Sequence, residues 1–271
     1  MTKSIKLDSL NIYPVKSLGG INLLQSKAEM RGLKYDRRFM LVDDQGRFLS
    51  QREHARLTLL GTRIEGDRLI IFEKNSPLNQ NSTSLIPNSG NTINVKIWND
   101  TAEALLASEA TNLWISEFLQ SNARLVYMPD TSTRQVDPER VAEKIDVGFA
   151  DAYPYLLINR ASVDQVSDKA GEKIPLDRFR GNLVVSGAEA FAEDRWERIR
   201  IGKTIFRLVK PCARCVVTTI DQHTAKKGKQ PLKSLAEFRK QGNKILFGIN
   251  LICEQYGKIE VGAEVEVLSS H

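Results

Sequence analysis

The sequence predicts a β-rich α+β protein in two parts, with a small barrel or sandwich first and a second β-domain with a few helices after it. Three observations lead there. The first hundred residues repeat short alternating apolar and polar runs separated by turn signals. Helical spacing then appears in only a few short stretches, each set between β-forming runs. A length of 271 residues favours two cores over one.

In order, "IKLDSLNIYPV" alternates apolar and polar residues, and "GINLLQSKAEM", "RFMLVDD", "RFLSQRE", "RLTLLGTRIE" and "RLIIFEK" follow as strands, with "DDQG" and "EGD" as turns. Several short strands with regular turns predict the barrel or sandwich. Residues 74–92, rich in Asn, Ser and Pro, read as a mobile loop between two strands. "SEATNLWISEFLQ" has helical spacing, with Leu113, Trp114, Phe118 and Leu119 sharing a face and Ser108 capping the start. "RLVYM" is a strand, and "DTSTRQVDPERVAEKID" a polar connection. In the second part "YPYLLIN" is a strand, "RASVDQVSDKAGE" a helix, and "GNLVVSG" and "TIFRLVKP" strands, with "CVVTTID" continuing as strand. "PLKSLAEFRKQ" is a helix, and "ILFGINLIC" and "EVEVL" close a sheet.

The composition is that of a soluble globular protein: 41% hydrophobic and 27% charged residues, with no apolar run long enough to span a bilayer. "MTKSIKLDSL" has no signal-peptide h-region, so a cytoplasmic protein is expected. The net charge of +6 comes from scattered residues. No aromatic residues interleave with a basic stripe, so no specific nucleic-acid binding is expected. The one dense basic cluster, "AKKGKQ", reads as a solvated turn.

"KPCARCVVTTID" holds two of the three cysteines in C-x-x-C spacing. A zinc site needs four ligands, and neither Cys253 nor the three histidines pair at ligand spacing. A thioredoxin-type dithiol opens a helix, whereas here a β-branched run follows. Two readings stand on the residues alone. One is a cysteine-bearing strand. The other is a single thiolate offered to a soft metal held mainly by something else, with Arg214 and Lys210 favouring the thiolate. Elsewhere "YPVKS" sets Lys16 and Ser17 after a proline bend and before "LGG". "YDRRFMLVD" sets Asp36, Arg37 and Arg38 before a strand, "SQRE" sets Arg52 at a strand end, and "FRGNLVVSG" sets Arg180 and Asn182 beside Gly181. Each alone reads as a solvated strand end or a surface ion pair. Together, with the fork geometry of arginine, they predict one anionic ligand between two domains.

Taken together, "YPVKS", "YDRRFMLVD", "ADAYPYLLIN", "FRGNLVVSGAEAFAEDRWERIRIG" and "PCARCVVTTID" resemble the MOSC family, and within it the group with a MOSC N-terminal β-barrel domain. That group includes the mitochondrial amidoxime-reducing components and bacterial reductases of N-hydroxylated bases. The likeness runs from about residue 5 to about 268, with the motifs in the family's order. It implies a MOSC N-terminal β-barrel domain over 1–122 and a MOSC β-barrel domain over 123–271. It also implies a molybdenum cofactor, a molybdopterin, in the cleft between them. The family's metal-ligating cysteine falls on Cys215, its cofactor-binding Lys and Ser on Lys16 and Ser17, and its further contacts on Arg37, Arg180, Asn182 and Arg214. Asp151 matches an aspartate near the metal and is the expected proton-delivering group.

The activity so implied is molybdenum-dependent reduction of N-hydroxylated compounds such as hydroxylamines, amidoximes and N-hydroxylated purines. The alternative is a cofactor carrier or a sulfur-transfer protein using Cys215 as a persulfide. Since the chain ends at "VEVLSSH" and carries only three cysteines, electrons are expected from a separate ferredoxin-, flavodoxin- or flavin reductase-type protein, with no membrane involved. Two departures from the family pattern are visible. Ala213 replaces a serine common inside the C-x-x-C, and Asn159 and Arg160 stand where serine and glutamate are common, which predicts a pocket of altered polarity.

Overall fold

The computed structural model describes residues 4–88 and 90–271. Its first part contains strands β1 (Lys6–Ile12), β2 (Ile21–Leu23), β3 (Gln25–Glu29), β4 (Gly32–Leu33), β5 (Phe39–Val42), β6 (Leu60–Glu65), β7 (Arg68–Glu73), β8 (Ser76–Ser84), β9 (Thr92–Ile97), β10 (Asp100–Leu106), helix α1 (Glu109–Leu119) and β11 (Arg124–Tyr127). Its second part contains β12 (Tyr155–Asn159), α2 (Arg160–Ala170), β13 (Leu183–Ser186), β14 (Trp196–Ile201), β15 (Thr204–Arg214), α3 (Leu232–Phe238), β16 (Lys240–Gln241), β17 (Lys244–Gln255), β18 (Lys258–Glu260) and β19 (Val265–Ser270). The fold is β-rich α+β, with an N-terminal barrel-like domain and a second β-domain. No helix among the described residues is long and apolar enough to cross a membrane.

The large sheet runs β19-β14-β15-β17-β12-β13-β1-β2, with β16 on β17. Strand β1 thus lies beside β13, where a bulge between Leu7 and Ser9 lets Leu7 and Leu10 both enter the core although strict alternation would part them. β12 and β13 are parallel, which requires a crossover, and α2 supplies it. Asn159 caps that helix by accepting from the Ala161 amide at 3.1 Å. The four-stranded sheet runs β5-β11-β10-β9, so β11, which follows residue 122, pairs with β5 and β10.

Three expectations are corrected. The polar stretch 74–92 contains β8, an edge strand on β7. It carries no apolar pattern because most of its side chains face solvent and backbone pairing holds it. In α1 the buried set is Thr111, Ile115, Phe118 and Leu119, while Leu113 is 64% exposed. The i, i+4, i+7, i+8 spacing chooses Ile115 over its neighbours. Ser108 does accept from the Thr111 amide, at 3.3 Å. The "CVVTTID" stretch is not strand: β15 ends at Arg214 and Val216–Thr219 form a 3-10 turn with Cys215 at its cap. Beyond Arg214, paired with Ile245, β15 has no further register on β17. Thr218 and Thr219 bond back to the carbonyls of Cys215 (3.0 Å) and Val216 (2.8 Å), so local bonds override β propensity.

Glu193 yields a pH prediction. It is buried and accepts from Ser162 Oγ at 2.7 Å and Asn159 Nδ2 at 2.9 Å. Burial raises its pKa above the ordinary glutamate value, and the two hydrogen bonds only partly oppose this. The fold therefore prefers the protonated form. Its contribution is complete below the unfolded pKa and is lost as pH rises through the raised folded value. Glu193→Gln should lose less stability than wild type over that rise, read as denaturant midpoint against pH. Parallel curves for the two proteins would show that the ionisation is not felt by the fold.

Candidate functional site

One cleft of about 140 Å³, open at its mouth, gathers residues from both parts of the chain. Lys16, Ser17 and Arg37 come from the segments after β1 and before β5, and Gln51 and Arg52 from the loop after β5. Asp151 precedes β12, Arg180 and Asn182 precede β13, and Cys212, Arg214 and Cys215 follow from the end of β15. Lys16, Ser17, Arg37, Arg52, Asp151, Arg180, Asn182, Arg214 and Cys215 all line it, whereas Asp36, Arg38 and Lys210, also singled out from the sequence, do not. Three of the lining residues, Ser17 (φ 73°), Arg37 (φ 46°) and Arg180 (φ 55°), hold left-handed backbone conformations that cost free energy outside glycine. Such strain concentrates where side chains must be aimed.

The cleft is strongly cationic. Lys16, Arg37, Arg52, Arg180 and Arg214 line it, against the single lining carboxylate of Asp151. These cations are not equivalent. Arg37 is held by the buried carboxylate of Asp36 at 2.9 and 2.7 Å, by Asn182 Oδ1 at 3.1 Å and by the Arg180 carbonyl at 3.0 Å. Asn182 also accepts from the Leu156 amide at 3.2 Å and donates to the Asn11 carbonyl at 3.1 Å, so its amide is engaged within the protein. Lys16 is buried and paired with Asp151, and it donates to the Phe149 carbonyl at 3.0 Å.

Arg180 donates to the Leu18 carbonyl at 2.8 Å and lies 4.2 Å from the Tyr13 ring centre. Burial, with Arg37 also close by, lowers its pKa to about 10. Arg214 donates to the Phe179 carbonyl at 2.7 Å and to Cys212 Sγ at 3.3 Å, and its buried Nε has no partner among the described residues. Arg52 packs 4.5 Å from the Trp98 ring and donates to Cys215 Sγ at 3.3 Å. The guanidinium beside Cys215 is thus Arg52, a residue 163 positions away, and not Arg214. Lys210 instead lies over the Tyr153 ring at 5.1 Å.

Asp151 keeps 62% of its side chain exposed. Partial desolvation raises its pKa, but the Lys16 ammonium and Arg52 outweigh this and hold it below the usual carboxylate range. On Lys16 the balance reverses: burial lowers its pKa more than Asp151 raises it.

Ser17 donates weakly to the Leu49 carbonyl at 3.4 Å, and its own carbonyl accepts from Gln51 at 2.6 Å. Arg38 points elsewhere, to the Met128 carbonyl and Asp130. Asn159 and Arg160 do not line the cleft: Asn159 binds Glu193, and Arg160 pairs with Asp8 on β1. The expected change of pocket polarity at those positions is therefore not found. Sequence reasoning missed Gln51 and Tyr13, although both lie in the quoted "SQRE" and "YPVKS", and Trp98, whose only signal was an aromatic residue in the short link between β9 and β10.

Among the described residues, no three His, Cys, Asp or Glu side chains cluster as a metal cage. What the cleft offers instead is two thiols, each beside a guanidinium (Cys215 with Arg52, Cys212 with Arg214), together with three arginines that have no carboxylate partner among the described residues (Arg52, Arg180, Arg214), the last with an orphaned Nε–H. This donor set fits a large anionic group that brings a soft metal with it.

Residues 4–122 match the MOSC N-terminal beta barrel domain and residues 144–266 the MOSC domain. The human protein "Mitochondrial amidoxime-reducing component 1" is 29% identical over 279 residues, covering 95% of this chain and 81% of that one. "Molybdenum cofactor sulfurase" of Bombyx mori is 30% identical over 93% of this chain, and that of Danio rerio 31% identical over 92%. The chain spans 32% of the length of each.

Proposed function

The chain belongs to the MOSC proteins that carry a MOSC N-terminal barrel domain, and from that premise we propose that it is a molybdenum cofactor-dependent reductase of N-hydroxylated compounds supplied with electrons by a separate protein. The observation that carries this reading is the Cys215 thiol beside Arg52 in a cleft whose arginines outnumber their carboxylate partners. The human relative, named for amidoxime reduction, matches over most of both chains, which supports the same reading.

Cys215 would hold the metal, while Arg52, Arg180 and Arg214 would hold the cofactor's phosphate and pterin. When bound, the cofactor supplies two-electron reduction at the N–O bond. The overall change is R–NHOH plus two electrons and two protons to R–NH2 and water. The chain's own part is placement and proton supply. Asp151, expected from the sequence to deliver the proton, is held ionised at the mouth by Lys16 and Arg52 and would instead accept N–H groups of the substrate. Lys16 holds a proton at Nζ against it, and burial makes that proton easier to release. Arg37 and Asn182 join the segments carrying Arg180 and Asp36 and keep the cation array in register.

The sulfurase relatives favour a second reading, a carrier or sulfur-transfer role with Cys215 as the persulfide site. Protein from a molybdenum-replete host separates the two. Molybdenum and pterin fluorescence are measured first, then turnover of a hydroxylaminopurine. No turnover is expected with NADH alone, because the sequence has no G-x-G-x-x-G and too few cysteines for an ordinary iron–sulfur cluster. Turnover is expected once a ferredoxin- or flavodoxin-like carrier and its reductase are added. Its rate at limiting donor should fall with salt, since screening shortens the reach of a +6 protein to about 10 Å at 0.1 M. Bound pterin with no turnover under any donor would support the carrier. Stoichiometric zinc would remove both readings.

A further inference from the structure

The 130–146 connection, polar in composition, contains a buried cation that the cleft chemistry does not use. Arg134 is only 4% exposed in its side chain. Its Nη1 donates to the carbonyls of Gly148 (2.8 Å) and Ala150 (2.6 Å), its Nη2 to the carbonyl of Asp151 (2.9 Å), and its Nε to the carboxylate of Asp100 (2.7 Å). Three of these acceptors belong to the loop that carries Asp151. The fourth opens β10, directly after the two-residue tip Trp98–Asn99 of the β9–β10 hairpin. The same loop is pressed against the other wall of the cleft: the Phe149 amide donates to the Arg37 carbonyl at 2.7 Å, and a Cβ on Gly148 would lie 2.8 Å from that oxygen.

Trp98 itself is unusual. It is 40% exposed and sits at φ 55°, a costly backbone state for a bulky residue. Its indole donates to Asp151 Oδ1 at 3.3 Å, carries the Arg52 guanidinium at 4.5 Å and meets the edge of Phe48 at 4.9 Å. The two partners of the Trp98–Asp151 contact stand on separate elements, and the Arg134 guanidinium bonds to both elements, through Asp100 of the hairpin and the carbonyls of the Asp151 loop.

We propose that Arg134 is a positioning residue that ties the Asp151 loop to the Trp98 hairpin, so that carboxylate and indole stand at the cleft mouth as one unit. The kinetic consequence rests on the reductase reading above; the mechanical one does not. A lysine keeps the charge but lacks the planar fork that reaches three carbonyls and a carboxylate at once. Arg134→Lys should therefore loosen both elements, and Asp100→Ala should loosen the hairpin while leaving the loop bonds in place.

The test uses the whole chain with Trp114→Phe and Trp196→Phe, which leaves Trp98 as its only tryptophan. Acrylamide quenching of Trp98 is read with thermal unfolding, pterin retention, and kcat and KM for a hydroxylaminopurine. Quenching should rise in Arg134→Lys and in Asp100→Ala, the latter serving if the former does not fold. In the loaded protein kcat should fall by about tenfold or more, since displacing a reacting group by about 1 Å can cost about a hundredfold. Pterin retention should stay close to wild type, because Arg180 and Arg214 are untouched, while KM should rise as Asp151, which accepts the substrate's N–H groups, loosens. Unchanged quenching in the folded variants overturns the clamp. A fall in kcat that only follows lost pterin or lost folding overturns the positioning role. If the parent chain shows no N-reduction with any donor, the reductase reading falls, and quenching alone then decides the clamp.

Discussion

Cys215→Ser is expected to remove N-reduction and molybdenum together, while Cys212→Ser keeps most of both. The two thiols lie three residues apart but in different surroundings. Cys215 accepts from Arg52 at the cap of the 3-10 turn, and Cys212 accepts from Arg214 near the end of β15. At position 212 a serine oxygen can still accept from the guanidinium, so the Arg214 placement survives. At position 215 a hydroxyl offers no soft thiolate to a metal. The loss there should exceed the roughly 10–100-fold seen for residues that merely surround a metal site. Metal analysis and turnover on the two variants decide it. Equal losses would mean that both sulfurs serve the metal or that neither does.

Alanine replacements in the cation array are expected to divide into two classes. Among the described residues Arg180 and Arg214 have no carboxylate partner, so a bound anion would be theirs to hold. A hydrogen bond to a charged group contributes about 1.5–3 kcal/mol, which is roughly ten- to a hundredfold in affinity. Arg180→Ala and Arg214→Ala should stay folded and lose pterin on dialysis by that factor. Arg37→Ala should behave differently. It strips the buried Asp36 carboxylate of its counter-charge, and breaking a buried pair costs about 3–5 kcal/mol. Burial already raises the Asp36 pKa, against the pull of Arg37, so without Arg37 the carboxyl would protonate or the fold would loosen. A lowered melting temperature before any measure of cofactor is the expected signature. Full pterin occupancy in Arg180→Ala and Arg214→Ala, or wild-type melting in Arg37→Ala, would contradict this division.

Much of the molecule is legible in the sequence. The apolar positions of β1, the apolar runs of β12, β13 and β17, the Ser108 cap and the helix between β12 and β13 are local patterns, readable from neighbours a few residues apart. The residues that meet in the cleft are also legible, because proline, glycine and arginine mark the strand ends where they stand. Tertiary structure alone decides what each of them is free to do. Arg37 and Arg180 look alike in the sequence, yet one is neutralised by Asp36 and the other is not. Cys215 owes its guanidinium to Arg52, 163 residues away, and Asp151 owes its place to Arg134 and Trp98, 17 and 53 residues away. The same limit hid β8, held by an edge pairing, and the 3-10 turn at Cys215, formed where β15 runs out of partner. The physical reason is common to all of them. Secondary-structure preference acts over a few residues of chain, whereas charge compensation, desolvation and strand pairing depend on which groups lie within a few ångströms once the chain has folded.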